Sequence, residues 1–430
     1  MSQHDEHKPI DPRERARRRR ELAAQRKARS RLILAGVALI ATAVLIIVLS
    51  VQGRQNMPTE PSVQTTLPTI VETEPTATEP VTVIHIAAAG DLNVTDRVVA
   101  GGQTSSGYDF SQAFSDIAPL LAGADMSVLN FEGNLSGAPY GKETGSAPVG
   151  LAQALKNAGV DLVQTANSAS IRSGLLGLTS TLNALEQVGL DSLGTYATNA
   201  DFRAGGGYII REVNGVRIGF VAFTKGMDSL GLPDGSDRCV NVLYTDYATT
   251  YKNVDENKIT SILRALEAEG PDITIAMVHW GSEYNEQISD SQRTIRDLML
   301  SEGVDILLGT HPHLVQAIDF NPDEGTLVAY SLGDLFGDGT QAGSAYSLIL
   351  DLEITKNNNT GRTQLTGYSY TPIYTLQPED SYTGQLQVVR IREAMALYDN
   401  YFIGRVSKTV YDNMAYSLQR IEDRIHTEVD

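Results

Sequence analysis

The chain has 430 residues, with 34 Lys and Arg against 52 Asp and Glu, a net charge of −18 at neutral pH. So acidic a balance excludes nucleic acid as a partner, because a phosphate backbone demands a basic face. The single cysteine, Cys239, excludes an internal disulfide, so the folded part is held by its core alone.

The charge is unevenly spread. Residues 1–31 hold eleven Lys/Arg and five Asp/Glu, which leaves 23 basic and 47 acidic residues for everything that follows. A basic tail is followed by "LILAGVALIATAVLIIVLSV", Leu32 to Val51, twenty residues without charge or proline. At about 1.5 Å per residue that run spans roughly 30 Å, the hydrocarbon thickness of a bilayer. Arg17–Arg20, Arg26, Lys27, Arg29 and Arg31 precede it and nothing comparable follows. The expectation is a single-pass transmembrane helix, residues 32–51, with the basic tail cytoplasmic and the rest of the chain extracellular. A cleaved signal peptide would carry a shorter apolar run, ~7–15 residues, ending in small residues. This run is longer and ends "VLSVQGRQ", so an uncleaved anchor in the cell membrane is preferred.

Residues 52–82 form a Pro/Thr/Glu-rich linker; Asn56 to Thr82 alone holds five Pro, eight Thr and four Glu. Too little apolar surface is present to offset chain entropy, so an extended, disordered stalk is expected. A folded domain, residues 83–380, then alternates short apolar runs with helical patterns. Strands are expected at 83–89, 126–131, 160–165, 217–224, 273–279, 304–309, 327–332 and 346–354. Helical spacing occupies 109–123, 149–158, 175–189, 257–269 and 288–302. Such alternation argues an α/β fold with strands buried on both faces. The Asn-Gly in "REVNGVRIGF" predicts a two-residue hairpin, so part of the sheet is antiparallel. Residues 381–430 form a C-terminal helical extension in which Val410, Met414, Leu418, Ile421 and Ile425 share one helix face. That face either packs back on the domain or binds a partner.

In open α/β sheets, ligand-binding groups collect where strands end. The ends here deliver Asp91 and Asn93, Asn130 and Glu132, Asn167 and Ser168, His279 and Glu283, His311 and His313, and Asp334. Each fits a structural corner when taken alone. A carboxylate such as Glu132 after an apolar strand is costly to bury unless a cation or metal pairs with it. The i, i+2 spacing in "GTHPHLVQ" puts His311 and His313 on one side of an extended segment. Imidazole is the commonest metal ligand. Of seven histidines, three sit at successive strand ends near carboxylates on two other strands, which raises the metal reading above its parts.

"AAAGDLNV", "LNFEGNLS", "GVRIGFVAF", "VHWGSEYNEQ", "GVDILLGTHPHLVQAID" and "VAYSLGDLF" occur in the order seen in the CapA family. Residues 83–375 thereby resemble these bacterial proteins of poly-γ-glutamate capsule synthesis, whose domain is similar to calcineurin-like metallophosphoesterases. The resemblance implies a four-layer αββα sandwich of two mixed sheets flanked by helices. It also implies that Asp91, Glu132, His279, His311 and His313 ligate or approach a divalent metal, with manganese, zinc or iron compatible with that set. One block departs from the family. Where the family shows Asn-Asn-His and a nearby Asp, this chain reads "ANSASIRSG", so Asn167 is followed by Ser168, Ala169 and Arg172. Asp334 stands where the family commonly has Asn. Loss of a histidine at 169 removes a general acid worth ~10²–10⁴ in rate. Arg172 disfavours a nearby cation unless it points away or binds an anion.

Two functions follow as expectations. The first is a membrane-anchored envelope enzyme with a degenerate metal-dependent hydrolase-type site, acting in capsule or cell-envelope polymer synthesis or export. Asn167, Ser168, Arg172 and Glu283 are then the pocket candidates, and the catalytic group is unassigned. The second is a non-catalytic envelope protein that binds or assembles. The expected partners are the membrane through Leu32–Val51, other capsule-synthesis membrane proteins, and an anionic polymer or small anionic ligand.

Overall fold

The computed structural model describes residues 80–381, 383–401 and 406–429. The expected anchor and residues 52–79 of the linker lie outside the described residues. Among the described residues, no helix is long and apolar enough to cross a membrane. The linker gives up its last two residues to the fold: β1 runs Val81–Asn93, and Val81 and Thr82 pair with Asn357 and Lys356.

Two mixed sheets make the frame. In the first, β1 lies beside β4 (Met126–Glu132), β5 (Leu162–Gln164) and β6 (Asp191–Leu193), all parallel; β2 (Gln103–Thr104) and β3 (Gly107–Tyr108) form a separate small hairpin. The second is built on β8 (Val216–Thr224), β9 (Ile273–His279), β10 (Ile306–Thr310) and β12 (Thr326–Ala329), again parallel. Antiparallel edges come from β7 (Tyr208–Val213) and β11 (Ile318–Asn321). The β7–β8 turn is the expected hairpin, with Asn214 at φ 48° and Gly215 at φ 80°, which the Asn-Gly pair tolerates. The first sheet is extended on its other side by β14 (Tyr346–Asn357), β15 (Thr363–Leu376) and β16 (Gln387–Arg390), while β13 (Asp334–Phe336) pairs with the end of β1.

Period-2 alternation assigns each strand face. Ile84, Ile86 and Ala88 of β1 join Val128, Phe220, Ile275, Met277 and Leu308 in one core between the sheets. The intervening Ala87 and Ala89 face outward, with Leu129 and Phe131, onto helices. Those helices are α1 (Asp96–Gly101), α2 (Ala118–Gly123), α3 (Val149–Asn157) and α4 (Gly174–Val188), which contribute Val98, Leu121, Leu155 and Leu185. A third core covers the outer face of the second sheet. There α5 (Asn199–Gly205), α6 (Glu256–Ala268) and α7 (Asp290–Ser301) supply Phe202, Ile259, Leu266, Ile295 and Met299. The layers therefore run helix, sheet, sheet, helix.

The expected helix over 109–123 is shorter, covering only 118–123. Ser111 N–H bonds Asp109 Oδ1 at 2.8 Å, the next turns close with three-residue spacing, and Pro119 opens α2, where its missing N–H costs nothing. The C-terminal extension is not wholly helical, because β16 first adds a strand to the sheet edge. Then follow α8 (Ile391–Tyr401) and α9 (Lys408–Ile425), and the apolar face of α9 packs back: Val410, Met414, Ile421 and Ile425 are buried in the inter-sheet core.

Candidate functional site: a buried histidine–carboxylate cluster

At the carboxyl ends of the parallel strands, the face that supplies the inter-sheet core turns polar. Val128 is followed on its own face by Asn130 and Glu132, and Met277 by His279, as the two-residue period requires. Asp91 reaches that face only because β1 slips in register between Ala88 and Asp91, so that three β1 positions match two of β4. At the slip, Gly90 passes so near β13 that a Cβ there would lie 1.8 Å from the Gly333 carbonyl oxygen. The same approach lets Asp91 N–H donate to Gly333 O at 2.9 Å and sets Asp91 beside Asp334.

His311 and His313 follow β10, but not on an extended segment. The sequence expectation is corrected here: φ is 91° at His311 and 57° at His313, in the left-handed region where a non-glycine residue costs ~1–3 kcal/mol. The turn, not a strand period, aims both rings inward, with centroids 6.1 Å apart. His311 N–H is fixed by Asp91 Oδ2 at 2.9 Å. The His279 and His311 rings lie 4.5 Å apart.

The structure brings together Asp91, Glu132, His279, His311 and His313 and adds Asp334; their nitrogen and oxygen atoms form three overlapping triads, each within 4.8 Å. All six are buried. Side-chain partners fix their orientation. Asp334 Oδ1 lies 2.7 Å from His313 Nδ1, so Nδ1–H donates and Nε2 turns toward Glu132 Oε2 at 3.6 Å. Asn130 donates to Asp91 Oδ1 at 2.5 Å. His279 Nδ1 lies 3.2 Å from Thr310 Oγ1, and its Nε2 lies 3.5 Å from Glu132 Oε1. Three buried atoms of this cluster, Glu132 Oε2, His279 Nε2 and His311 Nδ1, have no hydrogen-bond partner among the described residues. Buried polar atoms are normally satisfied. Three unsatisfied atoms spread over triads that share Glu132 fit a cation, and a mixed nitrogen and oxygen set suits zinc, manganese or iron.

Electrostatics point the same way. Burial, the Glu132 charge and the Asp334 charge push the Asp91 carboxyl well above its usual range, and burial also raises Glu132 and Asp334. Burial lowers His279 and His311 well below the ordinary imidazole value, helped by neighbouring cationic groups. For His313 burial acts downward too, yet Asp334, Glu132 and Asp91 together outweigh it and hold the imidazole well above its usual value. With no cation, therefore, the His313 proton supplies the positive charge that the carboxylates require.

This predicts a pH signature. Protonation of His313 stabilises the metal-free fold below the unfolded value of about 6.5, and that contribution is lost as pH rises through the raised folded value. A divalent ion must displace this proton, whereas His279 and His311 are already neutral. Affinity for Mn²⁺ or Zn²⁺ is thus expected to rise about tenfold per pH unit from about pH 6.5 up to the raised His313 value, and to level off above it. Quenching of the single tryptophan, Trp280, which follows His279 and stacks on Tyr330, reads the titration. An affinity flat across that window contradicts the assignment of the His313 proton.

The pocket candidates separate. Ser168 donates its hydroxyl to Glu132 Oε1 and fixes that carboxylate. Asn167 is fully buried and spent on structure: its amide donates to Asn130 Oδ1 at 3.0 Å and Phe131 O at 2.7 Å, and its oxygen accepts from Ala169 N–H. It holds the end of β4 and lines neither of the two cavities that border the cluster. Arg172 is turned to Asp228 and to the Lys142 carbonyl, 3.2 Å away, while still lining a cavity of about 90 Å³ with Glu132, Ser168, His313 and Asp334. Glu283 borders that cavity and a second one of about 200 Å³ that reaches His311 and Lys225. Asn93 lies on the rim of the first.

Two features escape the sequence. Lys225, the residue after β8, borders the second cavity; "VAFTK" is itself a strand end, so the rule that found the others could have found it. Tyr284 packs its ring 5.3 Å from His313, and its N–H donates to Pro312 O at 2.9 Å. The loop carrying Glu283 and Tyr284 is held from afar, as Arg420 and Arg424 of α9 both grip Glu286.

Fold and site together define a two-sheet α/β protein with a buried three-histidine, multi-carboxylate cluster at its strand ends. Residues 85–338 match the family described as bacterial capsule synthesis protein PGA_cap, and the chain belongs to it. It is 26% identical over 292 residues to the PGA biosynthesis protein CapA of Bacillus subtilis (strain 168), covering 66% of this chain and 71% of that one. It is 25% identical over 238 residues to the capsule biosynthesis protein CapA of Bacillus anthracis, covering 54% of this chain and 55% of that relative. Among solved structures, a novel phosphatase from Mycoplasma pneumoniae aligns with a TM-score of 0.42 at 14% identity, over 69% of this chain and 95% of that one. The calcineurin-like phosphoesterase YfkN from Bacillus subtilis aligns at 0.39 and 16%, over 80% and 99%.

Proposed function

We propose that this chain is a membrane-anchored, extracytoplasmic capsule-synthesis protein whose histidine–carboxylate cluster holds a divalent cation. Its role is in making or exporting poly-γ-glutamate or another envelope polymer, in line with the names of its two relatives. The observation that carries the cation is that Glu132 Oε2, His279 Nε2 and His311 Nδ1, in triads that share Glu132, have no hydrogen-bond partner among the described residues. Anchorage rests on the uncharged run Leu32–Val51 and the arginines before it. Other capsule-synthesis membrane proteins and an acidic ligand are the partners this placement favours.

A bound ion of this type supplies Lewis-acid polarisation of an oxygen. The chain's own residues do the rest: Asp334 sets the His313 tautomer, Ser168 fixes Glu132, and the left-handed turn holds His311 and His313. Position 169 offers only a buried methyl group, so a proton donor for a leaving group is not supplied there. Hydrolysis at this site is therefore slow, and the site is a degenerate form of a hydrolase centre. A non-catalytic binding or assembly role is the second reading, and Ala169 is the residue that favours it.

The test is metal analysis of the purified full chain, alongside hydrolysis of p-nitrophenyl phosphate. About one tightly held Mn, Zn or Fe per chain, with feeble hydrolysis, supports the degenerate site. A chain that takes up no metal when offered Mn²⁺ or Zn²⁺ overturns the cation, and rapid hydrolysis overturns the degeneracy.

A further inference from the structure

We propose that the cavity beside Lys225 is an oxyanion subsite, taking a phosphoryl or carboxylate end group of an acidic ligand next to the cluster; this rests on the cation reading above. Thr224 is paired with His279 across β8 and β9, so Lys225 leaves its strand beside the cluster, with its N–H on His279 O at 2.8 Å. Its ammonium donates to Gly281 O at 2.7 Å and lies 4.8 Å from the centroid of the Tyr251 ring. It forms no salt bridge among the described residues, in a chain with far more acids than bases. Glu283 and Asp228 act on this half-buried ammonium only from beyond salt-bridge distance, which leaves its burial incompletely compensated, and a cavity of about 200 Å³ opens beside it.

That cavity is also lined by His311, whose Nδ1 is buried and without a hydrogen-bond partner among the described residues. Of the two carboxylates on the wall, Asp228 is engaged by Arg172, which leaves Glu283. Ser168 completes the lining with a hydroxyl. A cation held by the cluster and the Lys225 ammonium would both border this space and repel. An oxyanion between them relieves both, accepting from Lys225 on one side and approaching the cation on the other.

Calorimetric titration of the full chain with inorganic phosphate, and separately with glutarate, tests this with and without added Mn²⁺. Saturable binding of either anion is expected. Lys225→Met should weaken it by about tenfold or more, and Lys225→Arg by less than about threefold, at unchanged metal content. Phosphate binding alone assigns a phosphoryl ligand, and glutarate binding alone a carboxylate. Should Lys225→Met fail to fold, reductive methylation of the unaltered chain replaces it: the bound anion must slow modification of Lys225, as read by peptide mass spectrometry. Equal binding by Lys225→Met, no saturation by either anion, or unprotected Lys225 overturns the subsite. Metal content is measured separately, so a metal-free chain with Lys225-dependent anion binding removes only the cation.

Discussion

Replacing His311 and His313 together with alanine is expected to abolish retention of a divalent metal by the purified chain. His311 contributes one of the three unpartnered buried atoms, and His313 presents Nε2 to Glu132 while Asp334 holds its other nitrogen. Loss of a group that merely orients a ligand costs ~10–100-fold in metal affinity, and loss of two ligands must exceed that. Asp334→Asn provides the graded comparison, with an expected fall within that range because the His313 partner loses its charge. Elemental analysis and metal titration by Trp280 fluorescence measure both. The double variant also leaves Asp91, Glu132 and Asp334 buried without the His313 charge. Its melting temperature should therefore fall most near and below about pH 6.5, where His313 of the unaltered chain carries its proton, and least once pH exceeds the raised His313 value. A double variant that keeps its metal would remove these two residues from the ligand set.

Gly90→Ala should be the most damaging single substitution outside the ligands. The added Cβ would sit 1.8 Å from the Gly333 carbonyl oxygen, a backbone atom with little freedom because Gly333 is itself at φ 76° and accepts from Asp91 N–H. Relief requires β1 and β13 to part, at a cost of about 3 kcal/mol or more. That same separation moves Asp91 away from Asp334 and His311, so metal affinity should fall with stability. Gly367→Ala, where a Cβ meets nothing within 4 Å, is the control and should shift stability by less than about 0.5 kcal/mol. Chemical denaturation of the two variants makes the comparison. Equal midpoints would mean that the close approach of β1 and β13 is not rigid.

Much of the frame was legible before any coordinates. Strands such as 126–131, 217–224 and 273–279 were readable because a buried parallel strand is an unbroken apolar run with a polar end. The helical face of α9 was readable because its apolar residues recur every three or four positions. β15 and β16 were missed: β15 mixes Thr, Tyr, Gly and Pro with half-buried positions, so its alternation is weak. Within the candidate site, Asp91, Glu132, His279, His311 and His313 were identifiable as strand-end residues. Lys225 passed unnoticed because a lysine after a strand looks like any solvated charge. Its lack of a salt bridge among the described residues and the cavity beside it, both features of three dimensions, mark it out. The hold of Arg420 and Arg424 on Glu286 spans more than 130 residues and leaves no local pattern.

By itself the sequence determined which groups stand at the strand ends, because a two-residue period and the cost of burying charge act within a few residues. It determined also that Ala169, not a histidine, follows Ser168 after the third strand. Tertiary structure decided how those groups meet. The register slip at Gly90 turns Asp91 inward, and the left-handed turn at His311 and His313 replaces the extended geometry that their spacing suggests. The assignment of Asn167 to support and Lys225 to an open cavity depends likewise on which strands lie side by side. Such choices are made by contacts between residues far apart in the chain, whose energies no local pattern records.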